Sequence, residues 1–317
     1  MCLLLSGQVP PKESHAQVVV VVGAEGTEEY GKQFHQWVER WSDAAKRGGA
    51  HFETVGLADT AEVSDHVQLQ RRLGELHGSS SEPLWLIFIG HGTFDGKVAR
   101  FNLRGPDVSL PELAAWLKPF DRPVAIVNCA SCSGPFLQEL SGPQRIVLTA
   151  TKSGREYNFA RFGDYLSAAI GDPQADLDKD EQVSLLEAYL RASARVREFY
   201  EGEGRLMTEH ALLDDNGDRL GTPADWFQGV RAIKAAKSGA AIDGQRANQW
   251  HLIPNTAEES LTPELKVRRN ELELQLAQLR AVKGQMPEAD YLRKVEPLLI
   301  ELARLYESAS KGSAAKR

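Results

Sequence analysis

Cysteine is scarce in this chain, with three among 317 residues. So few thiols cannot staple a chain of this length, and its stability must come from an apolar core. Basic residues are outnumbered, 37 Lys and Arg against 44 Asp and Glu, for a net charge of −7. Nucleic-acid binding calls for a basic face against phosphates, so nucleic acid is excluded as a partner. No apolar run approaches the roughly 20 residues a membrane-spanning helix needs, and no membrane span is expected. A phosphate-cradling glycine loop is missing too: Gly23-Ala24-Glu25-Gly26 ends a strand pattern but departs from G-x-G-x-x-G. What is present is ordinary for a globular protein. The apolar fraction is 42% and the charged fraction 26%, which excludes a disordered or fibrous chain.

Residues 1–16 read as the remnant of an export signal or as a frayed end. Cys2–Leu5 is apolar and Ser14-His15-Ala16 ends small-x-small, but the basic start of a complete signal is missing. Exported and cytoplasmic locations both stay open. From Gln17 the pattern is regular. Val18–Val22 is a β-branched run, the mark of a strand buried on both faces. Thr27 is placed to cap a helix whose first turn carries Glu28 and Glu29, and whose core stripe is Tyr30, Phe34, Trp37, Val38 and Trp41. Strands are expected near His51–Val55, at Leu84–Ile89, at Val124–Val127 and at Ile146–Thr149. Helices are expected around Asp65–Leu76, at Leu110–Leu117 behind Ser109, at Phe136–Leu140 and at Phe162–Ile170. This alternation predicts an α/β domain over residues 17–242, a mainly parallel sheet with helices on both faces. Functional sites in such sheets lie beyond the carboxyl ends of the strands.

The remainder has a different texture. Residues 243–260 are polar and poorly periodic, as in a linker. Over 261–307, Leu265, Leu272, Leu276 and Leu279 form one apolar stripe, and Tyr291, Val295, Leu298, Leu302 and Leu305 form another. Two such stripes joined by a short break predict an antiparallel helical hairpin, begun by Thr262-Pro263 and kinked at Pro297. The hairpin is expected to pair with itself, pack on the main domain, bind a protein partner or self-associate. Residues 308–317 read as a disordered tail.

Two strand ends carry reactive side chains. One strand delivers Gly90-His91-Gly92, and the other Asn128-Cys129-Ala130-Ser131-Cys132-Ser133-Gly134. A thiolate is the effective sulfur nucleophile, favoured by a nearby imidazole and a helix N-terminus. Backbone N–H groups beside Gly92 and the cysteine can face a developing oxyanion, and Gly92 lets a carbonyl approach closely. A strand delivering His-Gly and a later one delivering Cys before Ser-Gly resembles the caspase–haemoglobinase cysteine peptidases, nearest the legumain-like family. The following segment, Arg145–Asn158, is similar to the stretch that helps form the specificity pocket in that branch. The resemblance covers about residues 17–225. It implies the caspase–haemoglobinase fold and cleavage of a peptide or protein substrate, with no cofactor required. Cys132 would attack, His91 would help the leaving amine, Gly92 would shape the oxyanion site, and Lys152, Arg155, Glu156 and Asn158 would border the specificity pocket.

The register departs from the family at one place. The legumain-like motif has a single residue between Cys and Ser-Gly, so holding Ser133-Gly134 in register puts Ser131 at the nucleophile position. Without a dedicated base and orienting acid a serine there would be inert. An inactive peptidase-like interaction module is therefore the alternative to an endopeptidase. A third reading takes Cys129-x-x-Cys132 before a helix as a dithiol oxidoreductase pair.

One further motif stands apart from these strand ends. Asp176, Asp178, Asp180, Ser184 and Glu187 match calcium-loop spacing, although Glu181 occupies the position where the sharp turn wants glycine. Calcium would use Asp176, Asp178, Asp180 and Glu187. The competing reading makes Ser184 and Glu187 a capping box. Asp214, Asn216 and Asp218 read as a turn.

Overall fold

The chain is described by a computed structural model over residues 16–58, 63–80, 82–237 and 240–314. The export-signal question at 1–16 falls almost wholly outside these residues.

Strand β1 (Gln17–Val22) carries the valine run, and all five valines are buried. It lies inside the main sheet, pairing in parallel with β2 (His51–Val55) on one side and β3 (Leu84–Ile89) on the other. Beyond β3 come β4 (Val124–Asn128) and β5 (Arg145–Thr149), also parallel. Two short antiparallel strands, β6 (Leu212–Asp214) and β7 (Thr222–Pro223), complete the order β7-β6-β5-β4-β3-β1-β2. The fold is α/β, with a mostly parallel seven-stranded sheet flanked by helices and a helical C-terminal region. That arrangement is consistent with a caspase-like fold. The antiparallel edge was not foreseen, because Asp214, Asn216 and Asp218 read in sequence as a turn and the short strands beside them carry no periodic signal.

Alternate residues of each strand serve opposite faces, as a period of two requires. Val18, Val20, Trp85, Ile87 and Val127 meet α1 (Glu28–Arg47), α5 (Phe162–Ala169) and α6 (Leu185–Gly202). Val19, Val21, Leu86, Phe88 and Ile126 meet α2 (Asp65–Leu76), α3 (Leu110–Leu117) and α4 (Gly134–Leu140). Hydroxyl caps start several helices where expected. Thr27 accepts the Tyr30 amide, and Ser109 and Ser184 each form a capping box with Glu112 and Glu187. Next to β3, Gly92–Phe94, Ala99–Phe101 and Val108–Ser109 make a small antiparallel sheet that fixes the position of Gly92.

The stretch 243–260, expected as a linker, is instead packed on the α/β body. Asp243, Ala247, Leu252 and Glu258 are buried, and the Trp250 ring lies 5.3 Å from that of Trp85. The reason is a reciprocal clamp of two carboxylates. Asp243 accepts from the amides of Asp215 and Asn216 and stands 2.5 Å from the Thr222 hydroxyl, while Asp215 accepts from the amides of Gly244 and Ala247. Polar composition here marks buried hydrogen bonding, not solvent.

Helix α7 (Thr256–Ser260) leads into α8 (Pro263–Ala281) and α9 (Glu288–Ala314), with Thr262 capping α8 and Pro297 inside α9. The two long helices pack on each other, with Leu261 and Leu265 against Leu305, and with Arg268 bonded to Glu301 at 2.7 Å. Helix α8 also docks on the body. Gln249 donates to the Asn270 carbonyl and the Glu273 carboxylate, and buried Arg269 pairs with buried Glu258 at 2.6 Å. Helix α9 continues to Ala314, so most of the tail expected to be disordered from 308 is helical.

Candidate functional site

Parallel pairing of Phe88 with Asn128 brings the two reactive strand ends side by side. The Gly90-His91-Gly92 turn leaves β3 and the Cys129–Ser133 loop leaves β4. They touch through Gly92 and Ser131: the Ser131 hydroxyl donates to the Gly92 carbonyl at 3.2 Å, and the Gly92 amide donates back at 3.4 Å. A Cβ on residue 92 would sit 2.2 Å from the Ser131 carbonyl oxygen, so only glycine permits this approach.

His91 is engaged elsewhere. Its Nε2 lies 3.2 Å from the Glu25 carbonyl, to which it donates, and the ring is packed by Tyr30, Phe34 and Phe159 at centroid distances of 5.0, 5.4 and 5.8 Å. With Nε2 carrying a proton held by a carbonyl, that nitrogen cannot act as a base toward the neighbouring loop. Among the described residues no hydrogen bond joins His91 to Ser131 or Cys132.

Cys132 is 2% exposed and occupies the left-handed region at φ 56°. Its amide donates to the Glu156 carbonyl at 2.8 Å. Burial pushes its thiol upward, the reverse of what a nucleophile needs. Cys129 is 1% exposed, and burial together with the Glu209 charge pushes it up to about 12. Both thiols are free. The dithiol reading needs an accessible first cysteine with a lowered value, and Cys129 is the opposite on both counts.

The 150–158 loop is bolted to the nucleophile loop. The Ser133 and Thr151 hydroxyls meet at 3.1 Å, the Thr151 amide donates to Ser133 Oγ, and the Gly134 amide donates to Thr151 Oγ1. Of the four specificity-pocket candidates, Lys152, Arg155 and Asn158 are exposed. Glu156 turns inward: its carboxylate lies 2.6 Å from His210 Nδ1 and accepts from the Lys152 and His210 amides. Nothing local in the sequence marks His210 as part of the site. Its partner could not be read, because the two stand 54 positions apart. Next to it, Glu209 is 1% exposed and accepts from the amides of Arg161 and Phe162, doing for the start of α5 what a capping side chain would.

The acidic loop brings together three of its four candidate ligands. Oxygens of Asp176, Asp178 and Glu187 lie within 4.8 Å of one another, a set that could hold a hard cation. Asp180 faces away and accepts from Gln182. Lys179 and Glu181 take φ values of 64° and 70°, so the turn expected to want glycine forms without one. Glu187 serves both readings, capping α6 through Ser184 and accepting the Leu177 amide at 2.7 Å. Burial, then the charges of Glu187, Asp180 and Asp176, push Asp178 up to about 6.

No protein-family model matches the chain, and no curated protein matches it. Matching solved structures include protein GSU0716 from Geobacter sulfurreducens, at 11% identity and a TM-score of 0.39, over 57% of this chain and 89% of that one. The Drosophila initiator caspase Dronc matches at 11% identity and a TM-score of 0.38, over 65% of this chain and 81% of that one. Raptor from Chaetomium thermophilum matches at 11% identity and a TM-score of 0.32, over 50% of this chain and 17% of that one. Similarity this slight carries neither residue roles nor activity across.

Proposed function

We propose that this protein is a caspase-like module that holds a protein partner without cleaving it. The observation that carries this reading is the state of Cys132: its thiol is buried and its amide is bonded to the Glu156 carbonyl at 2.8 Å. In a working site that amide and the Gly92 amide would face the oxyanion of the attacked carbonyl. Here both are taken, the second by Ser131 Oγ. The hydroxyl at the family's nucleophile position is itself bonded to backbone, and among the described residues no hydrogen bond joins it to a base. A legumain-like affinity within the caspase-like fold is supported by the His91-Gly92 and Ser131–Gly134 strand ends and by the Arg145–Asn158 segment. On this reading those features persist as scaffold.

The test is hydrolysis. Pooled fluorogenic peptides with acidic, basic, amide and apolar residues before the reporter bond are expected to show the same release with wild type as with the His91→Ala/Cys132→Ala double variant. Release by wild type that disappears in the double variant would overturn the reading and restore the endopeptidase with its Cys132–His91 dyad.

A further inference from the structure

Beside the carboxyl end of β5, between α5, α6 and the approach to β6, lies a cavity of about 330 Å³. Neither the His91-Gly92 turn nor Ser131, Cys132, Lys152 or Arg155 lines it, so it is separate from the strand-end site. Its walls are apolar, chiefly Phe162, Val196, Met207 and Ala211. Five charged or polar side chains join them: Ser193 of α6, Glu209 and His210 from the loop before β6, and Arg197 and Asp225, which are exposed. A mostly apolar hollow with a few convergent polar groups is the usual form of a binding site.

The polar groups select the ligand. His210 Nδ1 is held 2.6 Å from the Glu156 carboxylate and donates to it, which fixes the ring at the cavity wall. The lining carries two carboxylates, Glu209 and Asp225, against one guanidinium, Arg197. A third carboxylate, Glu156, stands behind His210. Such a hollow suits a long aliphatic chain ending in a cation, whose stem lies on the walls while its head reaches the exposed Asp225 carboxylate at the rim. We propose that this cavity takes a lysine or arginine side chain of a partner peptide. Resting on the non-hydrolytic reading above, the peptide is held and not cut.

The experiment titrates the full chain with a labelled, end-blocked Gly-Gly-Lys-Gly-Gly peptide, and with twins bearing norleucine or glutamate in place of lysine. The lysine peptide is expected to bind saturably and the norleucine twin about tenfold more weakly, since it keeps most of the stem and lacks the charge. Met207→Trp, which fills the cavity, should abolish binding while leaving the circular dichroism unchanged. The exposed variant Asp225→Asn should weaken it. Equal binding of the lysine and norleucine peptides, or undiminished binding to both variants, would overturn the proposal. n-Butylamine should compete only at far higher concentration, and competition on equal terms would overturn the peptide as the source of the cation. Mass spectrometry of the recovered peptide keeps the two ideas apart. A bound but shortened peptide would remove the non-hydrolytic reading and leave the cation site standing.

Discussion

The carbonyl of Glu156 holds the amide hydrogen of Cys132 at 2.8 Å, while the carboxylate of the same glutamate holds His210. One residue thus fixes the nucleophile loop from its backbone and the approach to β6 from its side chain. Any rearrangement that freed the Cys132 amide would have to move the whole 150–158 loop, whose Thr151 is also bonded to Ser133.

Both thiols are expected to resist iodoacetamide near neutral pH. Each is buried and each is pushed upward, so labelling should follow opening of the fold and not thiolate chemistry. Site-resolved mass spectrometry of wild type and His91→Ala should give the same slow labelling of Cys132. Rapid labelling that depends on His91 would contradict the geometry.

Arg269→Ala should destabilise the protein by about 3 kcal/mol, because it strips buried Glu258 of its hydrogen-bonded guanidinium partner. Urea unfolding followed by circular dichroism reads this directly. Burial, the largest single influence, would raise Glu258, but the Arg269 hydrogen bond and the charges of Arg269, Lys266 and His251 together outweigh it and hold the carboxyl below its ordinary range. A lowered acid stabilises the fold above its ordinary value and loses that as pH falls through the lowered one. The difference between wild type and Arg269→Ala should therefore shrink in acid. The double variant Glu258→Leu/Arg269→Met should recover much of the loss.

Asp243 runs the other way. Burial and the Asp215 charge push it from 3.8 to about 8. A raised acid stabilises fully below its ordinary value, and that stability is lost as pH rises through the raised one. Melting temperature should accordingly fall between about pH 4 and about pH 8. Asp243→Asn should flatten that slope, since a carboxamide can accept from the Asp215 and Asn216 amides and donate to Thr222. A steeper slope in the variant would show that another group carries it.

Calcium is expected to raise the melting temperature, on the order of 2 °C at millimolar concentration, by binding the folded acidic loop. Asp178→Asn should abolish the rise. It should also stabilise the calcium-free protein slightly, because Asp178 is repelled by its three acidic neighbours. An identical melting curve with calcium and with chelator would leave Glu187 as a helix cap alone.

The parallel strands were legible because periodicity is a local property. Val18–Val22, Leu84–Ile89 and the caps at Thr27, Ser109 and Ser184 needed no tertiary knowledge. That His91-Gly92 meets the Ser131–Gly134 loop depends on the two strands being neighbours in the sheet, which periodicity alone does not give. What that meeting does was not legible. The left-handed backbone of Cys132 and the destination of its amide depend on Glu156, which approaches from the next strand's loop. The clamp at Asp243 was misread for a related reason. Its polar residues are satisfied by backbone amides nearly thirty positions away, and in sequence a buried acid looks like a solvated one.

The sheet's two outer strands are both poor templates for further pairing. β7 is two residues long and ends in Pro223, which has no amide hydrogen to offer. β2 carries His51 and Glu53, with Arg72 of α2 laid against Glu53 at 2.8 Å, so a neighbouring strand would meet charge along its flank. Edges built this way suppress aggregation through strand exchange. The same features also make those two edges poor ground for β-augmentation. An extended peptide would find little backbone ladder to join at either outer strand of the main sheet.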